Sequence, residues 1–205
     1  MVAFAHRSLV AGFFALWALA LGAAEEALAE DLTMKVSGWT NPPVGYVDFC
    51  RNFPEECRPV GSDAAKALTE RRWQDLQEVN TFVNRIILPA TDRDFHGVDE
   101  VWTLPETRGD CEDYVLLKRK WLVERGWPTG ALLVTVVFDE VGDGHAVLLV
   151  RTNGGDYVLD NKIDAIRPWH ETAYRFVKRQ SVNDPNRWVS VGDPRWTTHN
   201  TAASR

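Results

Sequence analysis

The sixteen residues HAVLLVRTNGGDYVLD, His145 to Asp160, leave a chain little conformational freedom. Two apolar runs rich in Val and Leu flank Asn153-Gly154, a pair that favours a two-residue hairpin because the tightest such turn needs positive φ at both positions. If Asn153 and Gly154 form the loop, Thr152 faces Gly155 and Val147 faces Asp160. His145, two residues from Val147, then shares a face with Asp160, on a diagonal of about 7–8 Å between Cα atoms. A three-residue loop would slip the register by one and put the two on opposite faces. The turn chemistry thus predicts an imidazole within hydrogen-bond reach of a carboxylate.

A second stretch, RGDCEDY at residues 108–114, predicts the start of a helix. Asp110 suits the N-cap, Tyr114, Val115, Trp121 and Leu122 form one apolar stripe, and Gly126 with Pro128 beyond it is a stop signal. Cys111 becomes the first helical residue and faces whatever the helix packs on. Two effects on its thiol oppose each other. The unpaired amides of a first turn favour a thiolate, whereas Asp110, Glu112 and Asp113 disfavour one. Helical spacing directs residues 112 and 113 away from the Cys111 face.

Elsewhere the patterns are coarser. A first helix is expected from Ser62, capped by Ser62 or Asp63, with Leu76, Val79, Phe82, Val83 and Ile86 inward and an end before Pro89. Strands are expected at 131–138, 145–150 and 156–160, then at 174–181 and 187–191. Residues 30–61 read as an irregular segment, 90–109 as a loop, and the polar tail after Pro194 as frayed. The class is α+β, with a cysteine-bearing helix packed on an antiparallel sheet that carries His145 and Asp160.

The start of the chain reads as an address. His6 and Arg7 precede an apolar run from Leu9 to Ala24, and Ala27-Leu28-Ala29 is a small-x-small cleavage site. Residues 1–29 are therefore expected to be a signal peptide, with export to the periplasm or beyond, and residues 30–205 to form a single domain. The competing reading of the run is a membrane anchor. Without Arg7, Glu25 and Glu26, 22 basic residues stand against 27 acidic ones, a net charge of −5. A mildly acidic chain with no basic cluster argues against a nucleic-acid partner. Export bears on the cysteines. Cys50 and Cys57, seven apart in FCRNFPEEC, are the expected disulfide, with Cys111 bonded to either one as the alternative.

Nucleophilic catalysis by a thiol needs a base, and the base needs a group to fix its orientation. Cys111 on a helix, His145 on one strand and Asp160 on the next supply the three in a workable order. Taken singly, each has an ordinary reading: a packed cysteine, a structural histidine, an aspartate opening a turn. Trp102 in VWTLPE is expected in the core or along a cleft wall.

GDCEDY, GHAVLLV and DYVLDN, in that order, resemble the bacterial transglutaminase-like cysteine proteinase family, which includes LapG-type periplasmic proteases. FCRNFPEEC, VWTLPET, the helix ending in GWP and YRFVKRQS extend the resemblance over nearly the whole mature chain. It implies a papain-like, transglutaminase-core fold with Cys111 as nucleophile, His145 as general base and acid, and Asp160 orienting His145. The LapG-type members imply calcium, with Asp110 and Glu112 at the ligand positions and Asp113 as a further donor. Clustered carboxylates suit calcium, and a dication would cancel the negative field around the thiol. The plainer reading is that acids in a first turn favour the helix dipole. The acidic loop DEVGDG, 139–144, lacks EF-hand spacing and reads as solvated. The resemblance further implies a protein substrate such as a surface adhesin, and an inner-membrane receptor that sequesters the protease. Two alternatives stand beside hydrolysis: acyl transfer to an amine, as in a transglutaminase, and a non-catalytic calcium- or peptide-binding module.

Overall fold

The computed structural model describes residues 32–61, 65–193 and 195. The expected signal peptide lies outside these residues, as do Ser62, Asp63 and all of the tail after Pro194 except Arg195. Nine strands and four α-helices are described: β1 (Val36–Thr40), α1 (Val44–Asn52), α2 (Glu70–Ile86), β2 (Leu88–Pro89), α3 (Asp92–Phe95), β3 (Arg108–Gly109), α4 (Cys111–Glu124), β4 (Leu132–Phe138), β5 (Gly144–Thr152), β6 (Gly155–Leu159), β7 (Arg167–Pro168), β8 (Arg175–Gln180) and β9 (Trp188–Val191). Seven strands form one antiparallel sheet in the order β1-β9-β8-β4-β5-β6-β7.

The hairpin has the expected register, Thr152 with Gly155 and Leu148 with Leu159, but the positive φ of its turn falls at Gly155 (109°) and not at Gly154. Alternation along these strands gives the sheet two apolar faces. Val134, Leu148, Val150 and Leu159 pack with Leu76, Val79, Tyr114, Val115 and Leu122 of the helices. Leu133, Val147, Leu149 and Val158 pack on the other side with Met34, Trp169, Tyr174 and Phe176. Both faces are covered, so β5 is buried through almost its whole length.

Three expectations need correction. The irregular N-terminal segment contains β1 and α1. The helix follows Pro43 and buries Tyr46 and Phe49, while β1 is an edge strand with exposed residues and so lacks the alternation that would announce it. The next helix starts at Glu70, capped by Thr69, whose hydroxyl accepts from the Arg72 amide at 3.3 Å. The preceding residues are held extended by the hairpin turn: Asn153 N–H donates to the Lys66 carbonyl, and its side chain accepts from the Leu68 amide at 2.8 Å. On α2, Phe82 and Ile86 stay near the surface at 40% and 38% exposure, with Phe82 against Trp121. Finally, the loop before the cysteine holds α3, and β2 and β3 pair in parallel at its ends.

Cys50 and Cys57 are disulfide-bonded and Cys111 is free. The short loop that the bond closes should contribute about 2–3 kcal/mol through the unfolded chain. Replacing both with Ser should lower the melting temperature by several degrees, and an unchanged melting temperature would contradict this contribution.

Candidate active site

Asp110 occupies the N-cap of α4 but uses its side chain for no capping bond, and Cys111 is the first helical residue. The thiol lies against the β5 strand, where the Ala146 amide points at it, one residue from His145. Its own hydrogen goes to Glu112 Oε2 at 3.1 Å. Glu112, itself buried, therefore turns back to the thiol rather than away. Burial, then the Glu112 charge, pushes the Cys111 pKa up, and the Ala146 amide opposes this only in part.

The hairpin delivers the other pair. His145 Nε2 lies 3.0 Å from Asp160 Oδ1, with both side chains buried. Asp160 is held by three donors: His145, the Lys162 amide at 3.1 Å to the same Oδ1, and the Tyr174 hydroxyl to Oδ2. Burial works to raise its pKa, but the His145 and Tyr174 contacts outweigh it and the carboxyl is held below its ordinary range. Burial and the facing carboxylate raise the Tyr174 pKa, so its hydroxyl remains a donor. Arg195 ties down the turn that carries Tyr174, donating to the Thr172 carbonyl at 3.0 Å and the Tyr174 carbonyl at 2.7 Å. Lys162 pairs with Asp139 at 2.6 Å, so this residue of the acidic 139–144 loop is buried and fixed rather than solvated.

The parallel pairing of β2 with β3 brings Asp92 to the start of α4. Carboxylate oxygens of Asp92, Asp110 and Asp113 all lie within 4.8 Å of one another. Two oxygens bound to one calcium at about 2.4 Å can be separated by no more than about that distance. Asp110 Oδ1 and Asp113 Oδ2 are buried and accept no hydrogen bond. Asp113 Oδ1 accepts from the Thr103 amide at 2.8 Å, and Asp92 Oδ2 from the Val101 amide. Burial pushes Asp110 up to about 8, with the Glu112 charge adding to it, and burial likewise raises Asp113 to about 8. Gly109 makes room: a Cβ there would sit 2.5 Å from Asp113 Oδ2. These hard, buried and under-coordinated oxygens fit an oxygen-preferring dication.

Of the acids the resemblance implied as ligands, Asp110 and Asp113 come together with Asp92, and Glu112, which accepts from the Cys111 thiol, is not in that group. Asp92 and Tyr174 were not legible as site residues. TDRDF signals only a cap, and Tyr174 only the edge of a strand. Trp102 is core, packed on Tyr46 and donating to Glu100 at 3.0 Å.

The family model of the bacterial transglutaminase-like cysteine proteinases matches residues 36–196. Calcium-bound LapG of Legionella pneumophila aligns with a TM-score of 0.50 at 23% identity, over 63% of this chain and 79% of that one. A second L. pneumophila LapG structure aligns with a TM-score of 0.50 at 24% identity, over 63% and 75%. At such identities the likeness shows the fold. The search of curated proteins returned no match. The family match spans every strand of the main sheet and the helix that starts at Cys111, and on that ground the chain belongs to the bacterial transglutaminase-like cysteine proteinase family.

Proposed function

We propose that this cysteine protease works through Cys111, His145 and Asp160, and that calcium bound at Asp92, Asp110 and Asp113 supports it. The observation that carries the reading is the buried 3.0 Å contact of His145 Nε2 with Asp160, beside a helix whose first residue is the free cysteine. With Nε2 engaged, Nδ1 is the ring nitrogen that takes the Cys111 proton. The sulfur then attacks the peptide carbonyl carbon, and the C–N bond breaks as the imidazolium returns the proton to the leaving amine. Water, deprotonated by the same ring, cleaves the thioester and frees the acid product. The Cys111 backbone N–H, at a helix start, is placed to steady the oxyanion.

Bound calcium would supply fixed positive charge near the thiol. This chain's part is to hold the three carboxylates together through β2 and β3, and to leave Asp110 Oδ1 and Asp113 Oδ2 unspent. The proposal extends to export, to a substrate protein at the cell surface such as an adhesin, and to restraint by an inner-membrane receptor. The signal-peptide pattern and the LapG-type resemblance support these extensions.

Mass spectrometry of peptide or surface-protein substrates incubated with the enzyme and calcium separates hydrolysis from acyl transfer. New termini, each cut adding one water, are expected, and Cys111→Ser should yield none. Loss of ammonia with isopeptide cross-links would instead identify a transglutaminase. Full processing by Cys111→Ser would remove the thiol from the mechanism.

A further inference from the structure

The ladder between β5 and β6 stops short of the site. Its last rung is Leu148 with Leu159, so His145 and Asp160 both stand beyond it. His145 is still held from its other side, where Val137 of β4 pairs with it. Among the described residues no strand pairs with Asp160, whose backbone is anchored instead by Asn84 Nδ2 on its carbonyl at 2.9 Å. Asp160, Tyr174, Lys162 and Glu140 line a cavity of about 320 Å³, so close packing does not back the carboxylate on that side. An ion pair spans the gap. Asp139, the residue after β4, takes the Lys162 ammonium at 2.6 Å. Its own loop fixes Asp139: Oδ1 accepts from the Val141 amide at 3.1 Å and the Asp143 amide at 2.8 Å, and its N–H donates to the Asp143 carbonyl at 2.9 Å. At the other end, the Lys162 amide donates to Asp160 Oδ1 at 3.1 Å, the oxygen that lies 3.0 Å from His145 Nε2.

We propose that Asp139 and Lys162 are a positioning pair for the triad carboxylate: their bridge ties the loop before β5 to the segment after β6 and keeps Asp160 Oδ1 in line with His145 Nε2. The inference rests on the proposed triad. The Lys162 charge acts at one remove, by holding its own backbone where the amide meets Asp160. That amide is a second donor on Oδ1, so it sets which lone pair of the oxygen is left to the imidazole.

Magnitudes separate this role from ordinary stabilisation. Side-chain exposure is 38% at Lys162 and 6% at Asp139. A pair open to water at one end contributes little to folding, so its loss should move the melting temperature by no more than about 4 °C. Catalysis reads geometry more steeply, since a misplacement of about 1 Å can cost about a hundredfold. A carboxylate that drifts by part of that distance should cost about tenfold. Two substitutions remove the bridge and little else. Asp139→Asn keeps an oxygen for the Val141 and Asp143 amides, and Lys162→Met keeps the amide that meets Asp160.

The test compares Lys162→Met, Asp139→Asn and the double variant with the parent, all calcium-saturated and well below their melting temperatures. Each single variant should lower kcat about tenfold with KM unchanged. The double variant should lose no more than either single one, because both residues act through one contact. Lys162→Arg, which keeps a charge for Asp139, should recover most of the rate. The low-field NMR signal of the His145 Nε2 proton should broaden in both single variants, a change that a merely stabilising pair would not produce. Parent kcat with an unaltered signal in Lys162→Met overturns the proposal, as do losses that multiply in the double variant. A raised KM with kcat intact also overturns it, since the pair would then be touching substrate. Lys162→Gln and Asp139→Ser supply the same readings if either first variant fails to fold. Asp160→Asn is the control. If it is inactive while the bridge variants behave like the parent, the positioning pair fails alone. Full activity in Asp160→Asn would sink the triad itself.

Discussion

Chelation should silence the enzyme: with excess chelator at neutral pH, peptide cleavage is expected to fall by at least about a hundredfold, the scale of about 2.7 kcal/mol of lost electrostatic support. The geometry behind this is the enclosed Asp92–Asp110–Asp113 cluster, two of whose oxygens have no donor. Calcium at 100 times its dissociation constant should add about 2.7 kcal/mol of stability and raise the melting temperature by about 5–10 °C. Asp92→Asn and Asp113→Asn should remove both responses. The sign with pH is fixed by protons competing for the same oxygens. Asp110 and Asp113 are raised to about 8, above the unfolded value of about 3.9. Their proton-linked contribution to the metal-free fold is therefore full below about pH 3.9 and lost as pH rises through about 8. Calcium affinity changes the opposite way, strengthening up to about pH 8 as the protons leave. Undiminished cleavage in chelator, or a calcium affinity flat across that window, would refute the assignment.

The second large effect concerns the His145–Asp160 pair. His145→Ala should lower kcat/KM by about 10,000-fold or more, and Asp160→Asn by about 100- to 10,000-fold, since a histidine without its orienting carboxylate loses its working tautomer. Tyr174→Phe removes one hydrogen bond to a charged acceptor and should cost only about tenfold. The order matters more than any single value. Tyr174→Phe hurting more than Asp160→Asn would mean that the hydroxyl, not the carboxylate, orients the ring.

Some of this was legible before any coordinates because short-range rules decide it. Asn153-Gly154 sets a register, a register sets faces, and so His145 and Asp160 had to meet. Gly126, with its positive φ, likewise ends α4 by local chemistry, whereas Asp110 stands at the N-cap without making a side-chain capping bond. Other features depend on partners distant in sequence. Residues 66–68 are extended because Asn153 holds them, and Asp92 reaches Asp110 only through the two-residue pairing of β2 with β3. The direction of Glu112 was missed for a different reason. Helical spacing gives where its Cβ points, but a three-bond side chain can fold back, and beside the thiol it does so.

The bond from Cys111 to Glu112 also bears on the lifetime of the molecule before it meets a cation. Sulfur oxidises, alkylates and exchanges with disulfides as the thiolate. A thiol kept protonated by burial and then by its acidic neighbour is slow in all three reactions. The chain carries a Cys50–Cys57 bond that a free thiolate could attack, and it keeps its one unpaired sulfur chemically quiet. The acidic setting that delays the nucleophile is also what preserves it.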